Sequence, residues 1–243
     1  MDAIGPGSLV KSVFTVELLH RTQCSNCGKI SERTESVVDL GLSVPKVSEA
    51  SGRSVTVQGL LDEYQRPVSM DGHNKYECES ITCRGTRQDA KRWTEVARAP
   101  AHLFLVMNRF SFSIEKSEYV KGHTIVGSSG GKELTGTEAL RLRDLTYELY
   151  AAVVHEVWMY FFEFMYYYVK GGTAMKGHYV AVGRRSEGGV SSSWVKYDDS
   201  TVTEMRNNHE VKFSKNKLRK IFSRIDCILA NISSGRAAPL GCE

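Results

Sequence analysis

His178 stands in the run Gly177-His178-Tyr179-Val180. About twenty residues later, Asp198 and Asp199 close the run Trp194-Val195-Lys196-Tyr197-Asp198-Asp199-Ser200. A histidine on one strand and a carboxylate on the next form the base half of a thiol-dependent catalytic system. The imidazole takes the proton from a thiol, and the carboxylate holds the ring in the working tautomer. A lone histidine is more often a core or surface residue than a base, so His178 gains weight only from its surroundings.

A second group has metal-ligand spacing. Cys24 and Cys27 are followed directly by Gly28, and Cys78 and Cys83 come some fifty residues later. Two cysteine pairs, each closing a tight turn, are the usual source of four thiolates for a tetrahedral structural zinc. Gly28 permits the positive φ that such a knuckle often needs. Spacing leaves two alternatives open: four metal-free cysteines, or a site in which His20 or His73 replaces one thiolate. A four-cysteine site would be closed to substrate, and its affinity would contribute to folding.

The elements that position these groups read mostly as strands. Residues 9–21 are rich in β-branched and apolar residues and run up to Cys24. Residues 30–42 alternate polar and apolar and end before Pro45, which predicts a strand pair turning at residues 25–28. Residues 57–64 place Leu60, Leu61 and Tyr64 at helical spacing. Residues 75–78 and 93–97 should be strands, and residues 101–110 carry the apolar run of a strand covered on both faces. Residues 121–143 are rich in Gly, Ser and charge and predict a long exposed loop. Residues 147–155, 178–184 and 194–198 complete the strands, with Gly188 and Gly189 at a turn.

Bulk properties narrow the class. The 243 residues can bury a substantial core. A net charge of +4 is too small to argue for nucleic acid as a partner. The positive run from Lys212 to Arg224 reads as a solvated helix face. Six cysteines are too few for a disulfide scaffold at this length, and the first residues lack the pattern of a secretory signal. The expected setting is therefore reducing and intracellular, cytoplasmic or nuclear. The aromatic run 157–169 is too short to span a bilayer and holds Glu163, so no membrane association is expected.

Taken in order, these motifs resemble the ubiquitin-specific proteases. The run Arg21-Thr22-Gln23-Cys24-Ser25-Asn26-Cys27-Gly28, then Asp39-Leu40-Gly41-Leu42, is similar to the start of that family's fingers region. Residues 60–64, 74–78, 88–91 and 108–110 continue the pattern, and residues 147–155 and 177–180 follow in the family's order. The resemblance covers roughly residues 10–205. It implies an α+β, strand-rich, papain-like cysteine protease fold, here partial: zinc-binding fingers over about 10–98 and palm strands over about 99–205. It implies hydrolysis of the bond after ubiquitin's C-terminal glycine, with ubiquitin or ubiquitinated proteins as partners. By the same resemblance His178 is the general base, Asp198 its orienting carboxylate and Asp199 an auxiliary group. Gly177 and Tyr179 line the channel for the substrate tail, zinc sits on Cys24, Cys27, Cys78 and Cys83, and His155 is a strand-end residue rather than a second base.

Three departures qualify the expectation. The family's nucleophilic cysteine follows an Asn or Gln near a helix N-terminus, where donors lower the thiol pKa and bind the oxyanion. Nothing before Cys24 resembles it, and Cys227 and Cys242 follow Asp198 without that setting. The chain alone is therefore expected to be inactive, and a non-catalytic ubiquitin-binding module is the alternative. Residues 157–170 interrupt the loop before His178; they read as a retained in-frame intron or as a real apolar insertion. Finally, residues 1–223 read as the partial catalytic domain, leaving 224–243 as a weak final strand and a disordered tail.

Overall fold

Alternating burial along the chain builds two main sheets. The computed structural model describes residues 6–45, 55–115, 117–122, 124, 126–127, 139–156, 178–187, 190–205 and 225–234. Helix α1 (Pro6–Phe14) leads into β1 (Val16–Cys24), which turns back as β2 (Ile30–Val37). A bend at Val38 and Asp39 then carries the chain into β3 (Leu40–Ser43). After β4 (Val55–Thr56) comes α2 (Val57–Tyr64), followed by β5 (Val68–Met70). The short strands β6 (Tyr76–Glu77) and β7 (Arg87–Gln88) flank the second cysteine pair, and β8 (Ala90–Arg98) returns along β1. The result is a four-stranded sheet of order β2-β1-β8-β5, with cysteines at one end.

The rest of the chain forms the larger sheet. Its strands are β9 (His102–Asn108), β13 (Ala139–Leu142), β14 (Leu145–Glu156), β15 (His178–Glu187), β16 (Val190–Asp198), β17 (Thr201–Met205) and β18 (Ile225–Ser234), together with β3. The order is β17-β16-β15-β14-β18-β9-β3, and β13 pairs with one end of β14. Strands β10 (Phe110–Ser113) and β11 (Glu118–Lys121) form a separate hairpin, and β12 (Val126–Gly127) runs parallel to β4.

One hydrophobic cluster joins the two sheets. Leu103 and Leu105 of β9, Ile228 and Ala230 of β18, and Tyr147 and Val154 of β14 are all buried in it. Val16, Leu18 and Val96 extend it into the base of the smaller sheet, and Leu61 of α2 enters from the side. Helix α2 starts where the sequence predicts, because the Thr56 hydroxyl accepts a 2.9 Å hydrogen bond from the Gly59 N–H. Tyr147 is fully buried, and its hydroxyl donates a 2.6 Å hydrogen bond to the Pro100 carbonyl. Tyr147→Phe should cost about 1–3 kcal/mol, because it strands that buried carbonyl; urea denaturation checks this.

The structure corrects four expectations. Residues 9–14 belong to α1 rather than to the first strand; Pro6 at the first helical position starts a turn that outweighs β-propensity. Residues 30–42 form two strands in two different sheets, because the bend at Val38 and Asp39 moves Leu40 and Leu42 into the larger core. The supposed loop 121–143 includes β13, whose Leu140 and Leu142 are buried. The expected weak final strand is present but interior, between β14 and β9, and it runs on through residues 231–234, which read as the start of the tail. The aromatic run 157–170 and the basic run 212–224 lie outside the described residues. Among the described residues, no helix is long and apolar enough to cross a membrane.

Candidate active site and metal cluster

Strand register brings the histidine and the aspartate together. Alternate residues of a strand share one face. Lys196 is paired with Val182, so Trp194, Lys196 and Asp198 of β16 share the face of His178, Val180 and Val182 of β15. Val180, Val182 and Trp194 are buried, and the row ends in the half-exposed His178 and Asp198. There His178 Nε2 lies 2.5 Å from Asp198 Oδ1. A carboxylate only accepts, so Nε2 carries the proton and Nδ1 keeps its lone pair. That is the tautomer a general base requires.

The carboxylate has a second partner. Lys196 Nζ lies 2.9 Å from Asp198 Oδ2. The hydrogen bonds from Lys196 and then from His178 hold the Asp198 carboxyl below the usual carboxylate range. Asp199 follows in the tight turn to β17 with φ 51°, a left-handed conformation that aspartate tolerates better than most residues. Its Oδ2 is 3.8 Å from His178 Nε2, and its side chain is exposed. Asp199 is therefore at hand but does not share the short contact.

A ring stack with one buried member lies on the opposite face of the sheet from the pair. Tyr179 is 53% exposed, and its ring stacks on His155 with centroids 4.4 Å apart and an interplanar angle of 12°. The Lys121 ammonium donates to His155 Nδ1 across 3.0 Å, with both residues buried. Sequence reasoning passed over Lys121 and Lys196. Nothing in the sequence links Lys121 to His155. Lys196 had a signal: two residues before Asp198 on a strand, it must share that residue's face. Gly177 lies outside the described residues.

The four cysteines also meet. Cys24, Cys78 and Cys83 are buried, and Cys27 is partly so. The sulfurs of Cys27 and Cys78 are 3.6 Å apart, and those of Cys24 and Cys83 are 3.9 Å apart. Four sulfurs at zinc's bond length in a tetrahedron would lie about 3.8 Å apart, so the donor set fits such an ion. Two backbone turns build the cluster. Gly28 N–H donates to the Cys24 carbonyl with Gly28 at φ +70°, and Gly85 N–H donates to the Cys78 carbonyl with Gly85 at φ +73°. The Ser25 N–H donates to the Asp89 carbonyl and ties the first turn to the link between β7 and β8. A backbone hydrogen bond at Lys29 lowers the Cys27 thiol to about 6. Cys78 has a backbone hydrogen bond at Ser80 that favours its thiolate. Burial and the neighbouring sulfurs outweigh it and push Cys78 up to about 12. His20 is engaged elsewhere, with Thr94 and Glu35.

A four-cysteine cluster at one end of a four-stranded sheet, and a histidine–aspartate pair on a larger one, sit within one strand-rich α+β fold. The chain belongs to the ubiquitin carboxyl-terminal hydrolase family, whose sequence pattern matches residues 4–218. A probable ubiquitin carboxyl-terminal hydrolase creB from Aspergillus clavatus is 27% identical over 209 residues, covering 86% of this chain and 24% of that protein. The probable ubiquitin carboxyl-terminal hydrolase 9 of Schizosaccharomyces pombe is 26% identical over 205 residues, covering 84% and 30% respectively. The chain thus spans about a quarter to a third of the length of these relatives. Among solved structures, a chain of the SAGA DUB module Ubp8/Sgf11/Sus1/Sgf73 bound to monoubiquitin superposes with a TM-score of 0.65. The identity is 19%, and the match covers 93% of this chain and 42% of that one. The yeast SAGA DUB module with a variant Sgf73 gives the same TM-score at 18% identity. These likenesses establish the fold.

Proposed function

We propose that this chain carries the base and substrate-binding part of a ubiquitin-specific cysteine protease. The observation that carries the reading is the 2.5 Å contact from His178 Nε2 to Asp198 Oδ1, within a chain of this family. In the complete reaction, His178 takes the proton of a thiol, and the thiolate attacks the carbonyl of ubiquitin's last glycine. The tetrahedral adduct expels the amine, which leaves with the proton from His178. Water, deprotonated by the same ring, then hydrolyses the thioester. Asp198 steadies the ring and its positive charge, Asp199 assists the approaching water or the oxyanion, and Gly177 and Tyr179 bound the channel for the glycine tail. Cys24, Cys27, Cys78 and Cys83 hold a structural zinc, which stabilises the smaller sheet and takes no part in the chemistry.

Among the described residues, no cysteine is placed beside His178. Four of the described cysteines form the cluster, and Cys227 faces Val153 and Val106 in the register of the larger sheet. The chain alone is therefore expected to bind ubiquitin without hydrolysing it, which also keeps a non-catalytic ubiquitin-binding module in view. Titration with ubiquitin should show saturable binding, while an activity-based ubiquitin probe should form no adduct. Turnover of a fluorogenic ubiquitin substrate by the purified chain, abolished by His178→Ala, would overturn the expected inactivity. In a longer polypeptide that supplies the thiol, His178→Ala should lower kcat by about 10³-fold or more with binding retained. Unchanged kcat there would remove His178 from the role of base and leave the binding module as the reading.

A further inference from the structure

We propose that Lys196 is a positioning residue, whose ammonium holds Asp198 through Oδ2 so that Oδ1 is presented to His178. The inference rests on the reading of His178 and Asp198 as base and orienting acid. Its first ground is burial. Lys196 occupies the row of Val180, Val182 and Trp194 and is only 22% exposed. A lysine kept in such a row needs a charged or polar partner, and Asp198 Oδ2 stands 2.9 Å away.

The second ground is geometry. The terminal torsion of an aspartate is broad and roughly two-fold, so a carboxylate with one partner can swing. Here each oxygen has its own partner, Oδ1 with the imidazole and Oδ2 with the ammonium. The ring and the lysine stem thereby fix the plane of the carboxylate. Register keeps the lysine in place, because Lys196 is paired with Val182 on one side and with Thr203 on the other.

The third ground is charge. A carboxylate beside an imidazole stabilises the imidazolium and raises its pKa. An ammonium on the far oxygen offsets part of that field. The ammonium therefore weakens the pull of Asp198 on the imidazolium relative to a bare aspartate. Among the described residues, further charged groups face this part of the sheet from the neighbouring elements. Asp199, in the turn after β16, lies 3.8 Å from Nε2, and Glu156 is the register partner on β14. Arg184, further along the same face, pairs with Glu148 and lies over the Trp194 ring. His155 and Lys121 lie behind Tyr179 on the opposite face.

The test reads the ring directly and needs no thiol: an NMR pH titration of His178 in the full chain. Lys196→Met should raise its midpoint by about 0.5 pH unit or more, and Lys196→Arg should restore most of the difference. A rise of less than half that size, or a fall, would overturn the proposal. Asp198→Asn tests the underlying pair separately. It should lower the His178 midpoint, and no change there would mean that the pair itself is not formed. If Asp198→Asn lowers the midpoint and Lys196→Met leaves it in place, only the role of Lys196 fails. Should Lys196→Met not fold, the unmodified chain still decides. The Lys196 Cε shift must inflect as Asp198 titrates, and a flat response would overturn the proposal.

Discussion

Replacing Cys78 with serine should strip the metal and unfold the smaller sheet. Cys78 is fully buried at the end of β6, with its sulfur 3.6 Å from that of Cys27. Structural zinc sites of this kind contribute on the order of 10 kcal/mol to folding in small domains, and a four-thiolate site cannot lose one ligand and keep its geometry. Cys78→Ser is therefore expected to cost several kcal/mol and to reduce bound zinc well below about one ion per chain. Hydrogen exchange should show β1, β2, β6, β7 and β8 losing protection first, because they form or border the two turns. Cys227→Ser, on an interior strand away from the cluster, should leave the metal content unchanged. Full zinc occupancy in Cys78→Ser would refute the four-thiolate reading.

Ending the chain before residue 225 should abolish the cooperative fold of the larger sheet. Strand β18 lies between β14 and β9, with Ile228 and Ala230 buried. Its removal leaves both neighbours with unpaired edges and opens the core that Leu103, Leu105 and Val154 share. The expected result is loss of near-ultraviolet circular dichroism and of exchange protection in β9 and β14. A milder variant probes the same place: Ala230→Leu overfills a position with no exposed surface and should cost about 1–3 kcal/mol. A cooperative thermal transition of undiminished size after the deletion would show that β18 is dispensable.

Much of this was legible in the sequence, and the parts that were not share a cause. The cysteine pairs announced themselves because ligand spacing is a local property. Helix α2 was readable from its apolar spacing, and β9 from its continuous apolar run. The order of motifs disclosed the family, and with it the pairing of His178 with Asp198. Partner choice was hidden. Nothing in Ile225–Ser234 says that Asn231 lies opposite His102 on one side and Glu148 on the other. Polar residues there read as a tail, although in an interior strand their backbones pair on both edges. Residues 30–42 hid a change of sheet, since alternation continues through the bend at Val38 and Asp39. Lys121 and His155 meet only because the β10–β11 hairpin comes to lie near β14.

The position of β18 also sets a timetable for biosynthesis. The strands of the smaller sheet are all drawn from residues 16–98, so that unit can close and bring its four cysteines together while translation continues. The larger sheet cannot do so. Strand β9 must wait for a neighbour made more than a hundred residues later, and closing so long a span is slow. Until β18 clears the ribosome, β9 and β14 each offer a bare edge to any passing chain, which makes the nascent polypeptide a natural client for chaperones.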